Sequence, residues 1–359
     1  MTDTAPNWLL QLDDPVPSPR VPPGVEYHRV YAGERRRIRR GILAIVLVVV
    51  GMVVFAQLLL LGARYLDTEI LGRSGFTPLQ QAAGALSLAA LIPYCMLLQR
   101  LLYGVPFRSL HSVAGRFRYG VLGRALLAFG PLLLVVVAVG FLLAPVDQVP
   151  WSTFDLVAYF VIGMLLTPLA AAGEEYGFRG FMFRIIGGWT RGARLGAVIG
   201  IVIPTVLFSL FHGSLDPYIL TSYLVLFGSL AIVTWRTGGL ETAVVLHVVY
   251  NVSALVLGTT LHVDLGGALN SRGEIAGSIA TLIPSAALVL ITSAVWWITR
   301  RTGPARTPAP SRVEESGTPA SASRRAGRST VPAPTENGFR ISEAAAESAR
   351  VSPRLPRTE

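Results

Sequence analysis

Residues 155–186 read DLVAYFVIGMLLTPLAAAGEEYGFRGFMFRII, an apolar run interrupted by two acids and a base, Glu174, Glu175 and Arg179. A helix crosses the hydrocarbon core of a bilayer with about 20 apolar residues. A helix ending at Ala172 would leave the acids at the membrane surface. Phe178, Phe181, Met182, Phe183, Ile185 and Ile186 favour a longer one that turns near Gly187 and Gly188 and keeps both acids at membrane depth. Arg184 is then expected to snorkel toward the basic loop that follows. Ionisable groups at the bilayer centre cost on the order of 2.5 to 3.5 kcal/mol on insertion scales, so side chains kept there are expected to serve a function.

Outward from this stretch, seven more apolar runs are long enough to span, giving eight at roughly 41–62, 79–99, 124–144, 155–186, 195–213, 217–235, 240–261 and 276–299. The 359 residues are 52% hydrophobic and only 14% charged, where a soluble domain carries about 25% charged residues. The fold class expected is all-α: a polytopic transmembrane helical bundle with disordered termini. Arginines crowd alternate connections, with Arg35, Arg36, Arg37, Arg39 and Arg40 before the first run and Arg100, Arg108, Arg116 and Arg118 after the second. Arg191 and Arg194, then Arg236, then Arg300 and Arg301 continue the alternation. In the other connections acids match or outnumber the bases, so both termini are expected in the cytoplasm of a cell-membrane protein. The net charge of +10 is thus an orientation signal, and no nucleic-acid partner is expected.

Three segments follow: a cytoplasmic N-terminal tail over 1–40, a helical membrane domain over 41–300, and a tail over 301–359 poor in large aliphatic residues and expected to be disordered. The proline-bearing first 40 residues are expected to hold no cleavable signal sequence, and the first apolar run is expected to remain as an anchor. Cys95 has no second cysteine for a disulfide or a thiolate metal clip. All 31 basic residues are arginine, a bias expected of a GC-rich bacterial genome.

On a helix Glu175 and Arg179 share a face, acid before base, in the favoured sense for an ion pair. Glu174 is rotated by about 100° and is expected to face a different environment, where desolvation suits it to act as a general base. With the turn near Gly187 and Gly188, Glu174 and His212 lie equally far from a midpoint near residue 193 and are expected to be neighbours across a helical hairpin. His247 and Asn251 lie one turn apart in the run VVLHVVYNVSALVLG and share a face. His28, His111 and His262 fall in tails or loops and carry no signal. Together, the carboxylate, imidazoles and carboxamide are the groups that peptide-bond hydrolysis requires: an activator of water, proton carriers and an oxyanion donor. HExxH and GxSxG patterns are absent. Spacing leaves open whether water is activated by the carboxylate or by a metal held by Glu174, His212 and His247.

The sequence Glu174-Glu175-Tyr176-Gly177-Phe178-Arg179 fits an EExxxR motif, Phe208-Ser209-Leu210-Phe211-His212 an FxxxH motif, and His247-Val248-Val249-Tyr250-Asn251 an HxxxN motif. In this set and order, over about residues 155–255, the chain resembles the CAAX prenyl protease and bacteriocin-processing family, also called Abi or type II CAAX endopeptidase-like proteins. The resemblance implies an intramembrane endopeptidase of the bilayer acting on a membrane-associated peptide or protein. Glu174 would activate water with His212, His247 and Asn251 would steady the tetrahedral intermediate, and Glu175, Arg179 and Phe208 would support them. The family carries a metalloprotease label, but its glutamate-dependent members imply no cofactor, with zinc at Glu174, His212 and His247 as the alternative. A non-catalytic membrane adaptor, a bacteriocin-immunity protein and a proton-coupled transporter are the competing classes.

Overall fold

The computed structural model describes residues 7–10, 20–33, 37–143, 148–270 and 273–309. The tail from 310 to 359 and most of the first 19 residues lie outside the described residues. Eight helices are long and apolar enough to cross a membrane: α1 Ile38–Ile70, α2 Pro78–Tyr103, α3 Tyr119–Leu143, α4 Thr153–Gly187, α5 Ala193–Phe211, α6 Pro217–Thr237, α7 Glu241–Thr260 and α8 Ile279–Thr299. The chain is an all-α polytopic bundle, as the apolar runs require, with isolated bridges but no strand among the described residues.

Local chemistry sets the boundaries. Thr77, Ser152 and Asp216 cap α2, α4 and α6 by accepting from backbone N–H groups of the first turn, which are otherwise without intrahelical partners. Gly238 ends α6 in a left-handed conformation, φ 66°, that glycine adopts without steric cost. Helix α1 runs eight residues past its expected end, through a π-helical turn at Leu66–Ile70. That turn buries Asp67, which accepts from Thr77 Oγ1 (2.5 Å) and Gln80 Nε2 (3.1 Å).

Helix α4 extends to Gly187, so the longer reading of the opening stretch holds. It is a series of segments. The first, Thr153–Leu165, gives way at Leu166 to Thr167–Glu175, whose second residue, Pro168, lacks the N–H that a continuous ladder needs. A π-helical turn over Tyr176–Met182 follows directly on the two acids. Helix α7 packs against α3, α4 and α6, placing it at the centre of the bundle, while α2 lies along α4. A Cβ on Gly173 would come within 1.9 Å of the Leu88 carbonyl oxygen of α2. Only glycine permits this approach one residue before Glu174.

The ends differ from the expected tails where they are described. Tyr27 and His28 are fully buried. Tyr27 donates to Leu110 O (2.5 Å), His28 Nε2 to Ala193 O (3.0 Å), and Arg29 to Gly187 O and Thr190 O (2.8 and 2.9 Å). Val25 and Thr307 exchange backbone and hydroxyl hydrogen bonds. These aromatic and apolar residues lie among prolines, and the polar helix ends beneath them supply partners that a tail in water would lack.

The arginines also depart from expectation. Arg184 does not snorkel: it is 0% exposed, donates to Gln99 Oε1 (3.2 Å) and Ser109 O (2.5 Å), and lies 3.9 Å from the Tyr27 ring centroid. The N-terminal segment covers the route to water. Arg118 binds Glu241 through Nε (3.0 Å) and Nη2 (2.7 Å), with both side chains fully buried. Arg236 is held by Thr299.

Candidate active site

The two acids end the second segment of α4, Thr167–Glu175, at about 20 Å of helix from Gly187, taking ~1.5 Å per residue. Glu175 is fully buried, and its Oε1 receives two hydrogen bonds, one from Arg179 Nη1 (3.1 Å) and one with His247 Nδ1 (2.7 Å). The expected ion pair forms, and Arg179 is itself buried between rings, 5.1 Å from the Phe208 centroid and 4.8 Å from that of Phe227. The faces of these rings carry negative potential and stabilise the desolvated guanidinium. Oε2 of Glu175 is buried without a hydrogen-bond partner among the described residues.

Glu174 faces elsewhere, as its rotation requires. Its Oε2 lies 3.4 Å from His247 Nε2, and its side chain is 12% exposed where that of Glu175 is 0%. One imidazole on α7 thus sits between the two carboxylates of α4. A neutral ring donates to one of them, and a doubly protonated ring to both. Glu174 is the member of the pair that a small molecule can reach.

His212 follows the last residue of α5. Its Nδ1 contacts Phe208 O at 2.8 Å; a carbonyl only accepts, so the proton is on Nδ1 and a neutral ring carries its lone pair on Nε2. The ring packs against Phe208, Tyr223 and Phe227, at 4.9, 4.5 and 4.9 Å between centroids. Phe227 also lies 6.2 Å from His247. Arg179, Phe208, Phe227 and the two histidines therefore form one cluster drawn from four helices. Asn251 is half-buried one turn beyond His247, and its carboxamide has no hydrogen-bond partner among the described residues.

Several members of this neighbourhood were not read from the sequence. Phe227 and Tyr223 sit in an ordinary apolar helix, and nothing local marks them. His111, set aside as a loop residue, hydrogen-bonds the hydroxyl of Tyr176. Its signal was the tyrosine inside the acidic motif, a polar group at membrane depth that needed a partner. Of the three side chains considered as zinc ligands, His247 has both nitrogens turned to carboxylates, and among the described residues no three His, Cys, Asp or Glu side chains are grouped as a metal site.

Fold and cluster together define a multi-pass membrane protein with an acid–imidazole centre inside its helical bundle. Residues 156–253 match the family model described as type II CAAX prenyl endopeptidase Rce1-like. This segment contains every motif residue from Glu174 to Asn251, so the similarity falls on the same family that the motifs resemble. No curated protein matches the chain.

Proposed function

We propose that the protein is an intramembrane endopeptidase that hydrolyses a peptide bond of a membrane-associated or lipid-modified substrate, with Glu174 activating the water and no metal taking part. The observation that carries this reading is His247 set between two carboxylates of unequal exposure. Glu175, fixed by Arg179 and His247, orients the ring. Glu174, at the accessible edge, takes a proton from water as its oxygen adds to the scissile carbonyl. That proton passes to the leaving nitrogen as the C–N bond breaks, giving a carboxylic acid and an amine. His212, with its tautomer set by Phe208 O, polarises the water from the other side. Once Glu174 has taken up the proton of water, the Nε2–H of a protonated His247 is released from its carboxylate and donates with the Asn251 amide to the oxyanion, while Nδ1–H stays on Glu175. Both termini face the cytoplasm of the cell membrane, on the strength of the alternating arginines.

Purified protein in detergent, offered lipid-modified and unmodified membrane peptides, tests this. Glu174→Gln, which keeps the shape and removes the base, is expected to lower cleavage about 1,000-fold, within the range for a general base, while the protein stays folded. Equal cleavage by both proteins removes the assignment. Stoichiometric zinc in washed, active protein, with activity lost to chelator and restored by zinc, overturns the metal-free mechanism.

A further inference from the structure

The loop between α2 and α3 carries none of the residues assigned to the reaction, yet it holds the two helices that carry the carboxylates and His247. Val113 N–H donates to Gly238 O (2.8 Å), and Leu240 N–H donates to His111 O (2.9 Å). Ser112 bridges Gly239, and Arg118 binds Glu241, the first residue of α7. The start of α7, less than two turns before His247, is therefore stitched to this loop. From the other side, the ring of His111 meets the hydroxyl of Tyr176, the residue after Glu175 and the first of the π-helical turn.

The bond has a definite sense. Tyr176 is buried, and a buried hydroxyl without an acceptor costs about 1–3 kcal/mol. A neutral His111 with its lone pair on Nδ1 supplies the acceptor. Burial pushes this histidine below its ordinary value, helped by the Arg184 charge and opposed by Glu241, so the ring stays neutral. Phe117 packs edge-on against it at 5.7 Å.

We propose that Tyr176 and His111 are positioning residues: their hydrogen bond ties α4 at Glu175 to the loop that holds α7, and so sets the placement of both carboxylates against His247. The effect on rate rests on the endopeptidase reading above; the effect on geometry does not. The contacts at stake are 2.7 and 3.4 Å, and a misplacement of about 1 Å at a reacting centre costs on the order of 100-fold. Loss of one indirect tie is expected to cost about tenfold.

Three variants test the proposal: Tyr176→Phe and His111→Leu remove the bond, whereas His111→Asn keeps an acceptor oxygen near the position of Nδ1. The readouts are the imidazole nitrogen resonances of His247 in histidine-labelled protein in detergent, assigned by their loss in His247→Gln, and the split of peptide cleavage into kcat and KM. Tyr176→Phe and His111→Leu are expected to shift the His247 resonances and to lower kcat about tenfold at unchanged KM. His111→Asn is expected to stay near the parent protein, and the double variant to be no worse than either single one. Unmoved His247 resonances in the first two variants, or an equal loss in His111→Asn, overturn the proposal. Moving resonances in a protein that cleaves no peptide uphold the tie and remove the endopeptidase reading instead.

Discussion

Helices α1 and α7 both span, but only 17% of the most apolar window of α1 is buried inside the protein against 50% of that of α7. The more apolar helix is the peripheral one. In water the core gathers the apolar residues; in lipid the outside is as apolar as any leucine, and what must be enclosed is the polar set. His247 and Ser253 are buried along α7, whereas Leu58 of α1 is 66% exposed. Where polarity marks the interior, stability and chemistry both depend on how well each buried polar group is paired.

The strongest way to break this contrast is at the Arg118–Glu241 clamp. Arg118→Met leaves the Glu241 charge buried without a counter-ion, held only by the backbone N–H of residue 118, a loss of about 3–5 kcal/mol, measurable as a fall in the denaturant needed to unfold the protein. Adding Glu241→Leu is expected to recover most of it, because replacing both charges by apolar groups removes the uncompensated one.

A smaller break lies beside the acids. Gly173→Ala places a methyl against backbone, the Leu88 carbonyl, so α2 and α4 must separate at an expected cost of about 1–3 kcal/mol. The same variant is expected to lower cleavage, since Glu174 moves with the helix. An unfolding midpoint equal to that of the parent protein would show the approach to be dispensable.

Acid probes the terminal segment. Burial holds His28 down to about 4, against the pull of the Ala193 carbonyl and Glu26. Below its unfolded value of about 6.5 the unfolded segment takes up a proton that the folded one refuses. Stability contributed here is therefore complete above pH 6.5 and drains away as pH falls toward 4, by up to about 3 kcal/mol at ~1.4 kcal/mol per unit. Hydrogen exchange across residues 24–33 should accelerate over that window, and His28→Phe should flatten the response.

The smallest effect sharpens the comparison from its other side. Leu58→Ala on the outer face of α1 is expected to change unfolding by less than about 0.5 kcal/mol, the scale of substitutions that break no contact. A larger change would mean that another protein surface, not lipid, covers that face.

Much of this contrast was legible in the sequence. The eight spans follow from length and apolarity, and the extension of α4 past its acids follows from the phenylalanines and isoleucines up to Ile186, because membrane burial imposes one simple rule on long segments. The pairing of Glu175 with Arg179 is a local four-residue relation and was equally readable. Arg118, Arg184 and Arg236 were not. In a count of loop charges a buried arginine and a hydrated one weigh the same, and the partners that bury them lie far along the chain, as Ser109 does for Arg184 and Thr299 for Arg236. His247 was read into one site with Glu174, and its ring does meet the acids, but its seat between Glu174 and Glu175 was not readable, since the rotation of α7 against α4 decides it. The π-helical turn after Glu175 has no local signature either, since tertiary packing decides where a helix widens.

The bridge between Val25 and Thr307 joins positions 282 residues apart. Synthesis delivers these partners at opposite times: the first is made before any span has entered the bilayer, the second only after α8 is complete. Until then Val25 lacks its acceptor, and the carbonyl of Arg236 lacks the Ala305 N–H that later satisfies it. Closure of this face therefore has to wait for the chain beyond α8.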